Sequence, residues 1–524
     1  MYSHETRKVI KRKMKLKTVS RKKKFAFNTL ASIVNQILLI ISGFLLPRAM
    51  LSVYGSDVNG LVSSITQFLS FISFMQAGVG VVVQSALYKP LSEHNLNEIS
   101  KIYLSAQKFF RGIALFFVFY SIVLSVLFPF LTNAPLKNLD VSLLVLVISI
   151  NLFAQYYFGL TNSLLLNAAQ KAYVPLSFQT IVTILNVIVS VALIYSGKTV
   201  LFVKLVSNII CLINPIGLTY YVKKNYKINL NIKYIEDPIK QKWSGFAQHI
   251  SAVIVDNTDI VILTLFATLA DVSIYYVYYI VVNAIKQLLT SLTGGVQSLF
   301  GDMLAKGEMC YLNKVFGYFE IAFGYITTFL YCVCSCLIVS FVRVYTAGIN
   351  DANYDVPLFA LLITLAYAIF CYRTIYYTLI KAAGHFKQTQ FGAVLEAVLN
   401  ISISIIFVMK YGLVGVAIGT LVAVGYRTLY CVWYLSKNIV HRSPFFFVKN
   451  VFANIIVGFI SYTFFMCIHF KCTNYIDWTI NAFIVSLTIL VILTLIYLLV
   501  YKQEVLEIKK WFINRFIKKN KLIS

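Results

Sequence analysis

The chain has 524 residues, 59% apolar and only 12% charged, with 46 Lys+Arg against 19 Asp+Glu and a formal net charge of +27. Soluble proteins run at roughly 45–50% apolar and about 25% charged, and mean hydropathy here is +0.79. Too little polar material is present to clothe water-soluble domains. That excludes a soluble enzyme, a nucleic-acid binder and a disordered scaffold, and it ties the basic excess to a membrane.

A helix crossing the hydrocarbon needs about 20 mostly apolar residues at about 1.5 Å each. In chain order the sequence predicts fourteen such spans: 27–49, 60–86, 108–131, 141–165, 173–196, 199–221, 244–268, 274–300, 316–343, 354–380, 389–410, 413–436, 446–468 and 477–501. Transmembrane strands are about ten residues long and alternate, which these runs do not. The expected fold is an all-α polytopic membrane protein. Its parts are a basic cytoplasmic tail (1–26), an N-lobe of spans 1–6 (27–221), a basic linker (222–243), a C-lobe of spans 7–12 (244–436), spans 13–14 (446–501) and a basic interfacial tail (502–524).

Charge sets the orientation. With both termini inside, 33 Lys/Arg fall in cytoplasmic tails and loops and 3 (Lys137, Lys198, Lys471) in external loops, the bias the positive-inside rule requires. The block at 7–24, ending in Arg21, Lys22, Lys23 and Lys24, reads as an anchor on anionic lipid and not as a cleaved signal peptide. In 502–521, Lys and Arg alternate with Val505, Ile508, Trp511, Phe512 and Phe516, as in a helix lying at the interface. External loops are too short to display a catalytic domain, so no enzyme is expected.

The nine cysteines include Cys332, Cys334 and Cys336 in C-x-C-x-C. Residues two apart on a helix point about 200° apart, so the three cannot converge on one ion, and no metal or other cofactor is expected.

Charges inside spans are costly and therefore candidates for function, with internal pairing as the rival reading. Span 7 carries His249, Asp256 and Asp259, and span 8 carries Lys286 at the depth of Asp256. Arg373, Glu396 and Arg427 share a depth in spans 10, 11 and 12, while Arg48 and Lys204 lie in the outer parts of spans 1 and 6, positioned to snorkel. Cations outnumber carboxylates, and guanidinium or ammonium groups in a polar cavity suit a phosphate-bearing passenger. Asn35, Asn162 and other span amides read as helix–helix glue, and Tyr275, Tyr276, Tyr278 and Tyr279 as an interfacial aromatic belt. No G-x-x-x-x-G-K-S/T loop is present, so ATP hydrolysis is not expected.

A faint internal repeat relates the two halves. Gly55-Ser-Asp57-Val58 after span 1 and Leu269-Ala-Asp271-Val272 after span 7 lie 214 positions apart, as do Gly80 and Gly294. Six spans per copy make it a parallel repeat.

The stretch PRAMLSVYGSDVNGLVSSITQFLSFISFMQAGVG (Pro47 to Gly80) resembles the first-to-second-helix signature of the polysaccharide-repeat-unit flippases (Wzx type) of the multidrug/oligosaccharidyl-lipid/polysaccharide (MOP) exporter superfamily. NTDIVILTLFATLADVSIYYVYY (Asn257 to Tyr279) resembles that family's seventh-to-eighth-helix segment. The resemblance implies translocation of an undecaprenyl-pyrophosphate-linked oligosaccharide from the inner to the outer leaflet by two rocking lobes around a cationic cavity. Arg48, Lys286, Arg373 and Arg427 are the expected cavity cations, and His249, Asp256, Asp259 and Glu396 the expected proton or sodium handlers. The implied setting is the cell membrane, among membrane lipids, with a polysaccharide polymerase and other envelope-assembly proteins as partners. The alternatives are a multidrug or small-molecule exporter on the same architecture, or a membrane polymerase or ligase acting on lipid-linked sugars.

Overall fold

The computed structural model describes residues 21–76, 78–229, 232, 246–466, 472–505 and 507. Most of the N-terminal tail, most of the 222–243 linker and the tail beyond 507 lie outside them, and with these the expected interfacial helix. Apart from turns and short connections the described residues are helical, with no strand. In chain order they form α1 (Arg21–Ser70), α2 (Ser73–Gln76), α3 (Val79–Glu93), α4 (Leu96–Leu131), α5 (Asn138–Ala154), a π-helical turn (Gln155–Gly159), α6 (Leu160–Ala168), α7 (Tyr173–Tyr195), α8 (Val200–Cys211) and α9 (Ile213–Asn225). There follow α10 (Phe246–Phe266), α11 (Leu269–Ser291), α12 (Thr293–Ala305), α13 (Met309–Tyr345), α14 (Pro357–Ala382), α15 (Gln390–Tyr411), α16 (Leu413–Asn438), α17 (Phe445–Met466) and α18 (Tyr475–Val500).

Among the described residues, twelve helices are long and apolar enough to cross a membrane. One of the twelve is the 50-residue stretch Phe27–Gln76, which is not one straight rod. At Gly55 the backbone turns to φ 82°, ψ 179°, a conformation that only glycine adopts without strain.

The chain divides into two compact units. The first comprises Met1–Leu46, Gly78–Leu124 and Leu143–Ser244. Here amides join helices, as a polar group in hydrocarbon requires. Asn35 donates to Gln179 (3.4 Å) and accepts from Thr180 (3.2 Å), while Asn162 accepts from the Tyr103 hydroxyl (2.8 Å) and donates to Thr219 (3.0 Å). Asn28 accepts from the Tyr173 amide at the start of α7 (2.9 Å).

The second unit comprises Pro47–Ala77, Ser125–Ser142 and Gly245–Ser524. The α15–α16 hairpin, turned at Gly412 (φ 52°), brings two backbones together: a Cβ on Gly415 would overlap the Phe407 carbonyl, and one on Gly419 the Ser404 backbone. Gly415→Val is therefore expected to cost about 1–3 kcal/mol by overpacking and to lower the unfolding temperature in detergent. Gly43→Val, whose new Cβ meets nothing within 4 Å, should leave it nearly unchanged. Helices α13, α17 and α18 enclose a separate apolar core of Ile321, Val457, Ile489 and Leu493, stitched by Tyr497 donating to Asn454 (2.7 Å). All described cysteines are free thiols.

Candidate functional site

The charged residues singled out from the sequence in spans 7–12 belong to one stretch of the second unit. Lys286 on α11 meets Asp256 on α10 (Nζ–Oδ1 2.6 Å), its side chain 14% exposed and that of Asp256 48%. The ammonium also lies over the rings of Phe370 (4.4 Å) and Tyr367 (5.6 Å) on α14. One turn on, Arg373 stacks its guanidinium on the same Phe370 ring at 4.8 Å, so a single aromatic side chain carries two cations. Such contacts strengthen as water is excluded.

Arg373 then donates to Glu396 on α15 (2.6 Å), and Arg427 on α16 approaches the other oxygen of that carboxylate (Nε–Oε2 3.6 Å). Arg427 also donates to the Thr389 carbonyl (3.0 Å) before the first turn of α15 and covers the Tyr430 ring at 5.3 Å. All three charged residues of this triad are buried. The sequence placed them at one depth; the structure joins them, two guanidinium groups to one carboxylate. Taken from Asp256 to Arg427, the row holds three cations and two carboxylates, an excess of one positive charge.

Asp259 stands in a different setting. Its carboxylate accepts from the hydroxyls of Tyr275 and Thr420 (both 2.8 Å) and from the Asn400 amide (3.4 Å). Two hydroxyls and one amide N–H face it, and Asn400 Oδ1 is buried with no hydrogen-bond partner. A buried carboxylate beside an orphaned amide oxygen and two hydroxyls suits a hard cation or a proton. Among the described residues no three His, Cys, Asp or Glu gather as a metal site.

Arg48 lies elsewhere, donating to the Ala347 carbonyl just past α13 (2.8 Å), with Nη1 buried and unbonded. His249 falls on α10, but its side chain lies outside the described residues. The interfacial reading of the tyrosines is corrected for two of them. Tyr275 and Tyr278 are buried and spend their hydroxyls inside the protein, on Asp259 and on the Tyr354 carbonyl (2.7 Å). A buried phenol must find such a partner, and a residue count gives depth but not facing.

Two arrangements involve charges that the sequence analysis did not single out. Fully buried Glu320 on α13 pairs with Arg442 (2.5 Å) and accepts from Tyr376, while Arg442 lies between the rings of Phe316 and Phe446. In the first unit, Arg111 on α4 covers the Tyr157 ring at 4.7 Å, at the π-helical turn, with its Nε buried and unbonded. The signal was present, since both Glu320 and Arg111 are charges within predicted spans. A cavity of about 430 Å³ in the second unit is lined by His385, Asn438 and His441 and by none of the candidate cations.

No family profile and no curated protein matches the chain. Solved structures do. "Lipid II flippase MurJ, inward closed conformation" superposes with a TM-score of 0.68 at 16% identity, covering 90% of this chain and 98% of that one. An inward-facing multidrug resistance MATE family transporter of the MOP superfamily gives 0.61 at 13% identity, over 76% and 94% of the two chains. A eukaryotic MATE transporter gives 0.55 at 13%, over 80% and 96%. The chain therefore has the fold of MurJ over 90% of its length, and that of the MATE proteins over 76–80% of it.

Proposed function

We propose that the chain is a flippase that moves a polyprenyl-pyrophosphate-linked oligosaccharide from the inner to the outer leaflet by alternating access, with its termini in the cytoplasm. Fourteen crossings result when the broken stretch 27–76 passes twice and Phe246–Phe266 passes once. The observation that carries the reading is the cationic row Lys286–Arg373–Arg427, one charge in excess of its carboxylates and threaded on Phe370. A diphosphate, multiply anionic and rich in acceptors, is the passenger such a row recognises. Because Lys286 already holds Asp256, the diphosphate must displace a carboxylate. That limits affinity and favours release, as a carrier needs. Arg48 supplies a further cation at the end of α13.

The protein replaces the water that phosphate and sugar hydroxyls lose in the bilayer, and no covalent step is required. Coupling to an ion gradient falls best to Asp259, the carboxylate whose partners are uncharged; Asp256 and Glu396 already face cations, and His249 remains a candidate on the same helix. Asp259→Asn is expected to abolish any sodium or pH dependence of transport in proteoliposomes while leaving the fold, since the amide keeps the shape. An unchanged ion dependence would remove Asp259 from the coupling.

The MATE likeness keeps one other reading in view, an exporter of small cationic molecules. Thermal shift of the purified protein separates the two. Undecaprenyl pyrophosphate is expected to raise the unfolding temperature by several degrees and a lipophilic cation to leave it unchanged; the reverse result sinks the flippase reading. A polymerase and other envelope-assembly proteins would then act on the outward-delivered product.

A further inference from the structure

Three helices of the second unit end at one cavity. α12, α14 and α16 stop at Ala305, Ala382 and Asn438, and these three residues line the cavity of about 430 Å³ together with His385 and His441. Two of the ends are closed in the same way. After α12 the chain turns at Gly307 (φ 71°), and after α14 at Gly384 (φ 73°). The following amides fold back onto the helix: Gly307 onto the Leu304 carbonyl and Glu308 onto that of Met303 (both 3.1 Å), Gly384 onto Lys381 (3.0 Å) and His385 onto Ile380 (3.2 Å). Such a cap satisfies the carbonyls one and two residues before the helix end. It leaves those of Ala305 and Ala382 without a backbone amide among the described residues, and both residues line the cavity.

The side chains add further acceptors. Asn438 spends its Nδ2 on the Tyr434 carbonyl (2.9 Å), which leaves Oδ1 as its open acceptor. Nδ1 of His385 lies 2.9 Å from the Tyr434 hydroxyl, so Nε2 is the nitrogen left for a ligand. His441 is held at φ 50°, a left-handed conformation unfavourable for a residue with a Cβ. Leu304, Met309 and Ile439 supply an apolar wall.

No carboxylate, lysine or arginine is among the lining residues. Four neighbouring cations are engaged elsewhere. Lys306 pairs with Asp302 (2.6 Å) and Arg442 with Glu320 (2.5 Å), while Lys381 and Lys437 lie over the rings of Tyr377 (4.9 Å) and Trp433 (5.3 Å). The field in the cavity is therefore set by the helix ends, each carrying about half a negative charge. It favours a cation.

We propose that this cavity binds an aliphatic di- or polyamine, taken from the cytoplasmic side in the topology proposed for the chain. An ammonium group brings three donors and no acceptor, which matches open carbonyls, an amide oxygen and an imidazole nitrogen. The methylene chain suits the apolar wall, and the volume falls in the range of organic ligand sites, about 300–1,000 Å³. A ligand held by three helix ends stabilises the second unit through its binding free energy. None of the lining residues belongs to the cationic row, so the site does not depend on what the chain transports.

Spermidine added to the purified full-length protein in a neutral detergent, at constant ionic strength, is expected to raise the unfolding temperature by several degrees and to saturate. Asn438→Leu and His385→Leu, each checked for its own cooperative unfolding, are expected to raise the half-saturating concentration about tenfold or more, the worth of one hydrogen bond to a charged group. If either fails to fold, Ala305→Phe, which fills the cavity from an exposed position, takes its place. No spermidine response, or an unchanged half-saturation in the variants, overturns the proposal. So does an equal response to magnesium at matched charge, which marks general screening. A response to zinc alone with none to spermidine also overturns it, and makes the two imidazoles a metal-binding pair.

Discussion

Replacing Lys286 by Gln is expected to cut affinity for undecaprenyl pyrophosphate about 10- to 100-fold and to remove most surface polysaccharide at unchanged protein level. The ammonium is one of three cations in the row and the least buried of its pairings, with Asp256 half exposed on the other side of the 2.6 Å contact. A hydrogen bond to a charged group is worth about 1.5–3 kcal/mol, which corresponds to roughly that range of affinities. Asp256→Asn moves the same quantity in the opposite direction, because it removes the internal competitor while leaving the ammonium caged by Phe370 and Tyr367. Binding measured on both variants decides the matter. If Asp256→Asn weakens binding as much as Lys286→Gln does, the pair serves the architecture and the row is not a substrate site.

The second large effect is structural. Glu396→Gln leaves Arg373 and Arg427 facing each other inside the bundle with no carboxylate between them, Arg427 being only 3% exposed. Breaking a buried charge network by removing one partner costs about 3–5 kcal/mol, a large share of the stability of an ordinary domain. The variant is expected to accumulate poorly and to unfold at a markedly lower temperature in detergent. Arg427→Gln is expected to be milder: it removes the cation with the longer contact, 3.6 Å against 2.6 Å for Arg373, and leaves a neutral pair behind. If Arg427→Gln nevertheless abolishes export in a protein of normal stability, the surplus charge of the triad has a function beyond holding the helices. Equal destabilisation by both substitutions would show that both guanidinium groups are structural.

Pairings across the bundle divide by what a linear chain can encode. The level agreement of Asp256 with Lys286, and of Glu396 with Arg373 and Arg427, was readable because helices of known rise carry a residue to a depth fixed by its count from the span end. Azimuth was not readable, and azimuth chooses partners. Tyr275 lies near a span end, where interfacial tyrosines gather, yet its hydroxyl turns inward to Asp259. Arg442 lies between two predicted spans, yet it closes on Glu320, 122 positions away.

The amino-acid sequence by itself determined the solvent of this protein, its all-helical character and where most of its long apolar helices run. These follow from composition and from short-range periodicity, which the bilayer enforces by requiring every backbone group to be bonded within its own helix. Only the tertiary structure decided which carboxylate each cation takes, that Phe370 carries two of them, and that Asp351 caps a helix start 295 positions away. Those choices depend on how helices rotate and pack against neighbours, a balance of small interhelical terms to which each residue contributes little and all contribute together.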